Sequence, residues 1–223
     1  MSNITSLAAG FILLASAAQA ASFPCEKAST PTEKAICADK AVSALDGKLA
    51  QAYRAALKAL SGNGPDENDS MAAAKADQRG WLGERNACGA DAACLQTAYE
   101  RRLAVLSFRP DPAKAAAVDR FVGTFHQEDY FSVAILGLRD GRVAFTAAGA
   151  EPTSARWLCE FSGVGRVGSD GRLIVGTPGA EGEGLIVGLQ GDGIAVPVTE
   201  ENQAASTYCG NGGSFIGTYE RRR

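Results

Sequence analysis

The chain has 223 residues, 46% of them hydrophobic and 21% charged. That balance excludes a largely disordered chain and leaves enough apolar side chain for one large core or two small ones. The formal net charge of −3 excludes the basic footprint of a nucleic-acid-binding protein. Taken in chain order, residues 1–20 (MSNITSLAAGFILLASAAQA) read as a signal peptide. Their apolar run, 7–17, is too short to span a bilayer and ends in Ala18-Gln19-Ala20, an A-x-A cleavage pattern. No Lys or Arg precedes the run, an unusual feature for such a leader. No cysteine sits at the cut, which argues against a lipid anchor there. The expected location is periplasmic or secreted, with a mature chain from Ala21.

Export sets the meaning of the six cysteines, Cys25, Cys37, Cys88, Cys94, Cys159 and Cys209. An even number in an oxidising compartment reads as three disulfides. A metal site lacks a C-x-x-C pair and has only His126 to draw on. A catalytic thiol would need the same histidine as its base. No cofactor is expected.

Residues 21–106 read as a helical domain. Thr30-Pro31-Thr32-Glu33 has capping-box spacing, with Pro31 suited to the first helical position. Asp39 can recap the chain after a break near Cys37-Ala38. Val42, Leu45, Leu49, Ala52, Tyr53, Ala56 and Leu60 then recur at three- and four-residue steps, one apolar stripe at ~100° per residue. A polar loop, 61–70, precedes a second helix reaching Ala87. On it Gln78, Trp81, Arg85 and Cys88 fall within about an 80° arc. They form either a recognition stripe or, the favoured reading, an inward face where Trp81 fills the bundle and its polar neighbours meet groups such as Asp46. A third helix, 91–106, turns Leu95, Tyr99, Arg102 and Leu106 to one side. The expectation is an antiparallel three-helix bundle stapled by disulfides. Packing gathers the first four cysteines at one end. Three pairings stay open, with Cys25–Cys37 and Cys88–Cys94 favoured because each closes a local loop, worth roughly 2–3 kcal/mol apiece.

Residues 107–120, with two prolines, read as a linker. Residues 121–223 hold 19 of the 26 glycines and read as a small antiparallel β-barrel or sandwich, making the whole chain a two-domain α+β protein. Candidate strands are 131–138, 142–146, 157–161, 172–175, 185–189 and 194–198. Asp140-Gly141 and Asp170-Gly171 signal hairpins. FVGTF at 121–125 is echoed by FIGTY at 215–219; as first and last strands, these would close a barrel if adjacent. Cys159–Cys209 would clamp it, worth ~4 kcal/mol for so long a loop.

Chemistry-bearing patterns are weak. Gly163, Gly165 and Gly168 match a dinucleotide fingerprint, but a strand follows where a helix is required. Ser214 lacks the strand-to-helix elbow of a hydrolase. Glu128-Asp129 and Glu181/Glu183 are expected to be solvated loop charge, as are Arg221, Arg222 and Arg223 at the end, and His126 is expected to follow the first strand on the surface.

One resemblance is specific. C-x-K-A-S-T-P-x-E-K-A-I-C from Cys25, L-D-x-x-L-A-x-A-Y at 45–53, Q-x-x-W-x-x-x-R-x-x-C from Gln78 and C-L-x-x-x-Y-x-x-R from Cys94 together resemble the LprI-type family over about 25–106. The β half is only loosely similar to the barrels of bacterial lysozyme inhibitors. The resemblance implies a secreted or envelope-associated helical domain, in a family named for a member that inhibits lysozyme. The expected function is an exported, non-enzymatic binding protein that occludes a muramidase cleft, using the loop at 61–70 or the glycine-rich loop at 177–184. The expected partner is lysozyme or another cell-wall hydrolase. The alternative is an envelope module that binds peptidoglycan or a partner protein without inhibiting lysozyme. Charge adds a hint: residues 111–223 carry 14 acidic and 10 basic side chains, and residues 21–110 carry 11 and 12. An acidic β half could steer a cationic lysozyme.

Overall fold

A computed structural model describes residues 21–64, 66–109, 116–177 and 184–222. The leader at 1–20, part of the linker and most of the loop at 177–184 lie outside the described residues. The helical half contains four helices, not three: α1 (Pro31–Ala38), α2 (Lys40–Leu60), α3 (Asp69–Ala87) and α4 (Ala92–Leu106). The difference arises at Asp39, whose backbone is extended while its side chain caps the amides of Ala41 and Val42. One apolar pattern is thereby cut into two helices. Asn68 and Asp91 cap α3 and α4 in the same way. Gly89, at φ +58°, turns the chain between them, a conformation that costs glycine nothing.

At the start of α1 the capping box is closed. The Glu33 amide donates to Thr30 Oγ1 at 3.1 Å and the Thr30 amide donates to Glu33 Oε2 at 2.9 Å. The Thr30 amide, with the amide and hydroxyl of Ser29, pulls the Glu33 carboxyl down to about 2 from its usual 4.5. A depressed folded-state value means that the cap's contribution is complete above the unfolded value of 4.5 and is lost as pH falls through about 2. An NMR titration should therefore show the amides of Thr30 and Glu33 titrating with a midpoint near 2. A midpoint at an ordinary glutamate value would mean that the box is open in solution.

Ile36, Val42, Leu49, Ala56, Trp81, Leu95, Tyr99 and Leu106 form the helical core. Disulfides join Cys25 to Cys37, Cys88 to Cys94 and Cys159 to Cys209.

The second half is a closed eight-stranded antiparallel barrel, each strand paired with the next in sequence and the last with the first. The strands are β1 (Gly123–Gln127), β2 (Phe131–Gly137), β3 (Val143–Ala150), β4 (Leu158–Val167), β5 (Leu173–Gly176), β6 (Gly184–Gln190), β7 (Gly193–Val196) and β8 (Gly217–Arg221). The seam pairs Phe125 with Arg221 and His126 with Glu220. Both echoed segments thus enter their strands two residues later than expected. Phe121 and Phe215 lie before the strands and fill the core instead, and His126 falls inside β1. Arg221 locks the seam by donating to the carbonyls of Asp192, Val122 and Arg120.

The two Asp-Gly turns are built alike. Gly141 and Gly171 both take φ +79°, and Asp140 and Asp170 accept from the amide and guanidinium of Arg142 and Arg172. A 3-10 segment, Glu200–Ser206, covers the part of β6 that β7 is too short to pair. There the fully buried Asn202 stands in for a strand, its side chain bonding the amide and carbonyl of Ile186 and the carbonyl of Pro197.

Helices and barrel share a third core of Leu60, Met71, Ala74, Ala134, Leu136 and Ala144. Ala134 and Ala144, being small, let α2 and α3 approach the outer face of β2 and β3 closely. The Leu60 carbonyl, an orphan of the helix end, accepts from Asn68 Nδ2 at 2.8 Å and from Thr146 Oγ1 at 3.0 Å. Ser70 and Thr146 hydrogen-bond across the junction.

Candidate interaction site

The polar residues singled out in the helical half turn inward. Asp46 is 3% exposed. It accepts from the Tyr99 hydroxyl at 2.7 Å and from the Ser22 amide at 2.6 Å. Arg85 Nη1 donates to Tyr99 Oη at 3.2 Å. Burial, reinforced by the Asp46 carboxylate, pushes the Tyr99 phenol well above its ordinary range, so it stays a donor. Trp81 meets Tyr99 edge-on at 5.5 Å and lies under both Arg85 and Arg102. Arg102, 2% exposed, donates to Gln78 Oε1 at 2.9 Å and to Asp77 Oδ2 at 2.6 Å. Asp77 in turn holds the backbone amide and guanidinium of Arg139 in the β2–β3 turn. Tyr53 is half-buried against the helical core, and burial raises its phenol. Thr30 and Glu33 cap α1. These residues are thus brought together as the frame of the bundle, with a strut to the barrel through Asp77. Each cysteine is in a disulfide, so none supplies a thiol nucleophile.

The loop at 61–70 is less free than its composition implies. Asn63 Nδ2 donates to the Cys159 carbonyl at 2.9 Å, and Ser70 is fully buried. A Cβ at Gly62 would come within 2.5 Å of the Glu160 carboxylate. Only part of the loop, including Asp66 and Glu67, faces solvent.

Beside this loop runs a groove of about 640 Å³, walled on one side by Lys58, Gly62 and Asn63 and on the other by barrel residues, including Glu128, Asp129, Tyr130 and Glu151. Strand register explains its floor. On the outer face Glu220, His126, Ser132, Ala148 and Glu160 lie side by side across β8, β1, β2, β3 and β4. Ser132 and Ala148 make the middle low. In the next row Ala150 pairs with Leu158, and the Ala150 amide donates to the Tyr130 carbonyl.

Charge at this end of the barrel is mixed: Lys58 and Arg222 line the groove with Glu128, Asp129 and Glu151, and Arg156 is exposed nearby. Glu128, Asp129 and Glu160 are exposed. Glu151 is held at about 2 by the hydroxyl and amide of Ser154, followed by further backbone donors, so it is ionised at neutral pH. The opposite end carries Arg139, Arg142 and Arg172 on its turns, each ion-paired with a neighbouring carboxylate. Leu158 is the feature that sequence reading missed. It is 55% exposed, and it and Val198 are the two large exposed hydrophobic residues among those described. Alternation in Trp157-Leu158-Cys159-Glu160 puts Leu158 with Glu160 and opposite Cys159, but only the closed barrel tells which side is out.

With this geometry in place, comparison with known proteins is informative. The family model described as "Lysozyme inhibitor LprI" matches residues 25–117, extending past the last helix into the connecting segment. Lipoprotein LprI of Mycobacterium bovis and of two strains of Mycobacterium tuberculosis is 34% identical over 97 residues, covering 42% of this chain and 44% of each relative. The chain thus spans less than half the length of these relatives, and the barrel beyond residue 117 is outside the family match. No solved structure matches the chain. No helix among the described residues is long and apolar enough to cross a membrane. Four capped helices, two local disulfides and an inward Gln-Trp-Arg face are thus the structural form of the segment, residues 25–117, that matches the LprI family model.

Proposed function

We propose that the protein is an exported, non-enzymatic inhibitor of a lysozyme-like muramidase. The observation that carries this reading is the LprI match over residues 25–117. The groove between the family-matched loop and the barrel supports it, because both halves wall it and the barrel's Glu128, Asp129 and Glu151 outnumber Lys58 and Arg222 in its lining. C-type lysozymes are cationic, so such a surface accelerates encounter and orients the partner. Inhibition would follow from lying across the substrate cleft, with the exposed Asp66 and Glu67 of the loop at 61–70 as the parts that reach in.

The barrel lies outside the family match, and this favours a second reading in which the chain is an envelope module that holds peptidoglycan or another protein. Titrating the oxidised protein, 21–223, into C-type and G-type lysozymes acting on cell walls separates the two. The inhibitor reading expects stoichiometric loss of lysis that weakens as salt rises. Unchanged lysis together with retention of the protein on purified cell wall would favour the second.

A further inference from the structure

The segment that begins at Ala21 is docked on the helical domain. Ala21 and Phe23 pack on the helical core, and the amide of Ser22 between them donates to Asp46 Oδ2 at 2.6 Å. The Cys25–Cys37 disulfide then fastens the chain to α1. Asp46 is 3% exposed, and a carboxylate taken out of water is costly unless charge as well as hydrogen bonds compensates it. The hydrogen bonds it accepts from the Tyr99 hydroxyl of α4 and the Ser22 amide come from neutral donors. Arg85 of α3 stands 3.9 Å from Oδ1 and gives hydrogen bonds to Tyr99 and Asn86.

Neighbouring backbone nitrogens are at most about 3.6 Å apart, so the Ala21 nitrogen lies within roughly 6 Å of Asp46 Oδ2. The A-x-A pattern at 18–20 places the leader's cut on this same nitrogen. Within the uncut chain it is a neutral amide. Hydrolysis of the Ala20–Ala21 peptide adds one water, leaving a carboxylate on Ala20 and an ammonium on Ala21. We infer that the α-ammonium released at Ala21 pairs with the buried Asp46, so that removal of the leader completes the polar core of the helical domain. The inference rests on the exported reading and adds a role for the new chain end. An exposed ion pair contributes little. Here one partner is out of water, and Phe23 and Cys25 already hold the segment that carries the other, so little freedom is lost in pairing them. Arg85 approaches Oδ1 and the chain end Oδ2, so the two cations use different oxygens.

Such a pair raises the α-amino group above its unfolded value of roughly 7.7–8.0. Its contribution is complete below that value and is lost as pH rises through the folded one. Three oxidised chains test this: one beginning at Ala21 with a free amine, the same chain N-acetylated, and one extended by Gly-Ser. By denaturant unfolding near pH 6, the free form is expected to have a folding constant about tenfold above the other two, as for a shift of about one unit. The gap should close near pH 10, and 13C NMR of Ala21 should show its amine titrating above the ordinary range. Asp46→Asn should remove the gap between free and acetylated forms; a gap that persists would overturn the pairing. The NMR titration needs no variant. Equal stability of the three wild-type forms, with an ordinary titration, overturns the inference and leaves export intact. Intact mass of protein recovered from the periplasm of an expressing bacterium reads the cut itself. A chain that begins elsewhere than Ala21 overturns the cut and this role with it.

Discussion

Leu60→Ala is expected to destabilise the protein by about 2–5 kcal/mol, the range for a buried leucine truncated in a packed core. It should lower the stability of helices and barrel together. Leu60 is fully buried where α2 ends on the barrel, in the core it shares with Met71, Ala74, Ala134, Leu136 and Ala144. Its carbonyl is held by Asn68 and by Thr146 of β3. Removing its side chain opens a void between two halves that otherwise cover each other's apolar faces. The chain offers two reporters, Trp81 in the helical core and Trp157 against the barrel core. Trp157→Phe leaves a helical probe and Trp81→Phe a barrel probe. Denaturant unfolding should give one midpoint for both, shifted equally by Leu60→Ala. Separated midpoints would mean that the halves unfold independently and that the shared core contributes little.

Arg102→Ala should cost about 3–5 kcal/mol, because it breaks a buried ion pair and leaves one partner behind. Against a typical total stability of roughly 5–15 kcal/mol, that is a large share. The Asp77 carboxylate, 8% exposed, would keep only the partly exposed Arg139, and Gln78 Oε1 would lose its donor. The guanidinium 6.0 Å from the Trp81 ring would go as well. The neighbouring Arg101 is exposed, and Arg101→Ala should change stability by no more than about 0.5 kcal/mol. Chemical denaturation of the two variants side by side measures the contrast. Equal, small effects would contradict the network described here.

What could be read from the sequence was what depends on residues a few positions apart. The Thr30–Glu33 box, the recapping Asp39, the stripe from Val42 to Leu60 and the two Asp-Gly turns are local devices, and each left a local signature. The inward set of the Q-x-x-W-x-x-x-R motif was legible because its spacing places it on one helical face with Cys88. Contacts across long separations were not legible. Nothing near Arg139 announces that Asp77, 62 residues earlier, will hold its amide. Ala134 and Ala144 look unremarkable until α2 and α3 are laid on them, and Asn202 reads as loop although it replaces a missing strand pairing. The strand ends moved because Phe121 and Phe215 fill the core before their strands begin. The groove beside the 61–70 loop was the least legible part. Its acidic members resemble any solvated loop, and Leu158 resembles any strand leucine until barrel closure turns it outward.

If the protein covers a muramidase cleft as proposed, a ligand that occupies the cleft competes with it. Inhibition of a C-type lysozyme by the oxidised chain, 21–223, would be measured at increasing concentrations of a non-hydrolysed chitooligosaccharide that occupies the same cleft. The apparent inhibition constant is expected to rise linearly with the free oligosaccharide concentration, because the two cannot bind together. Inhibition that is absent, or that is unaffected by a saturated cleft, would contradict the proposal.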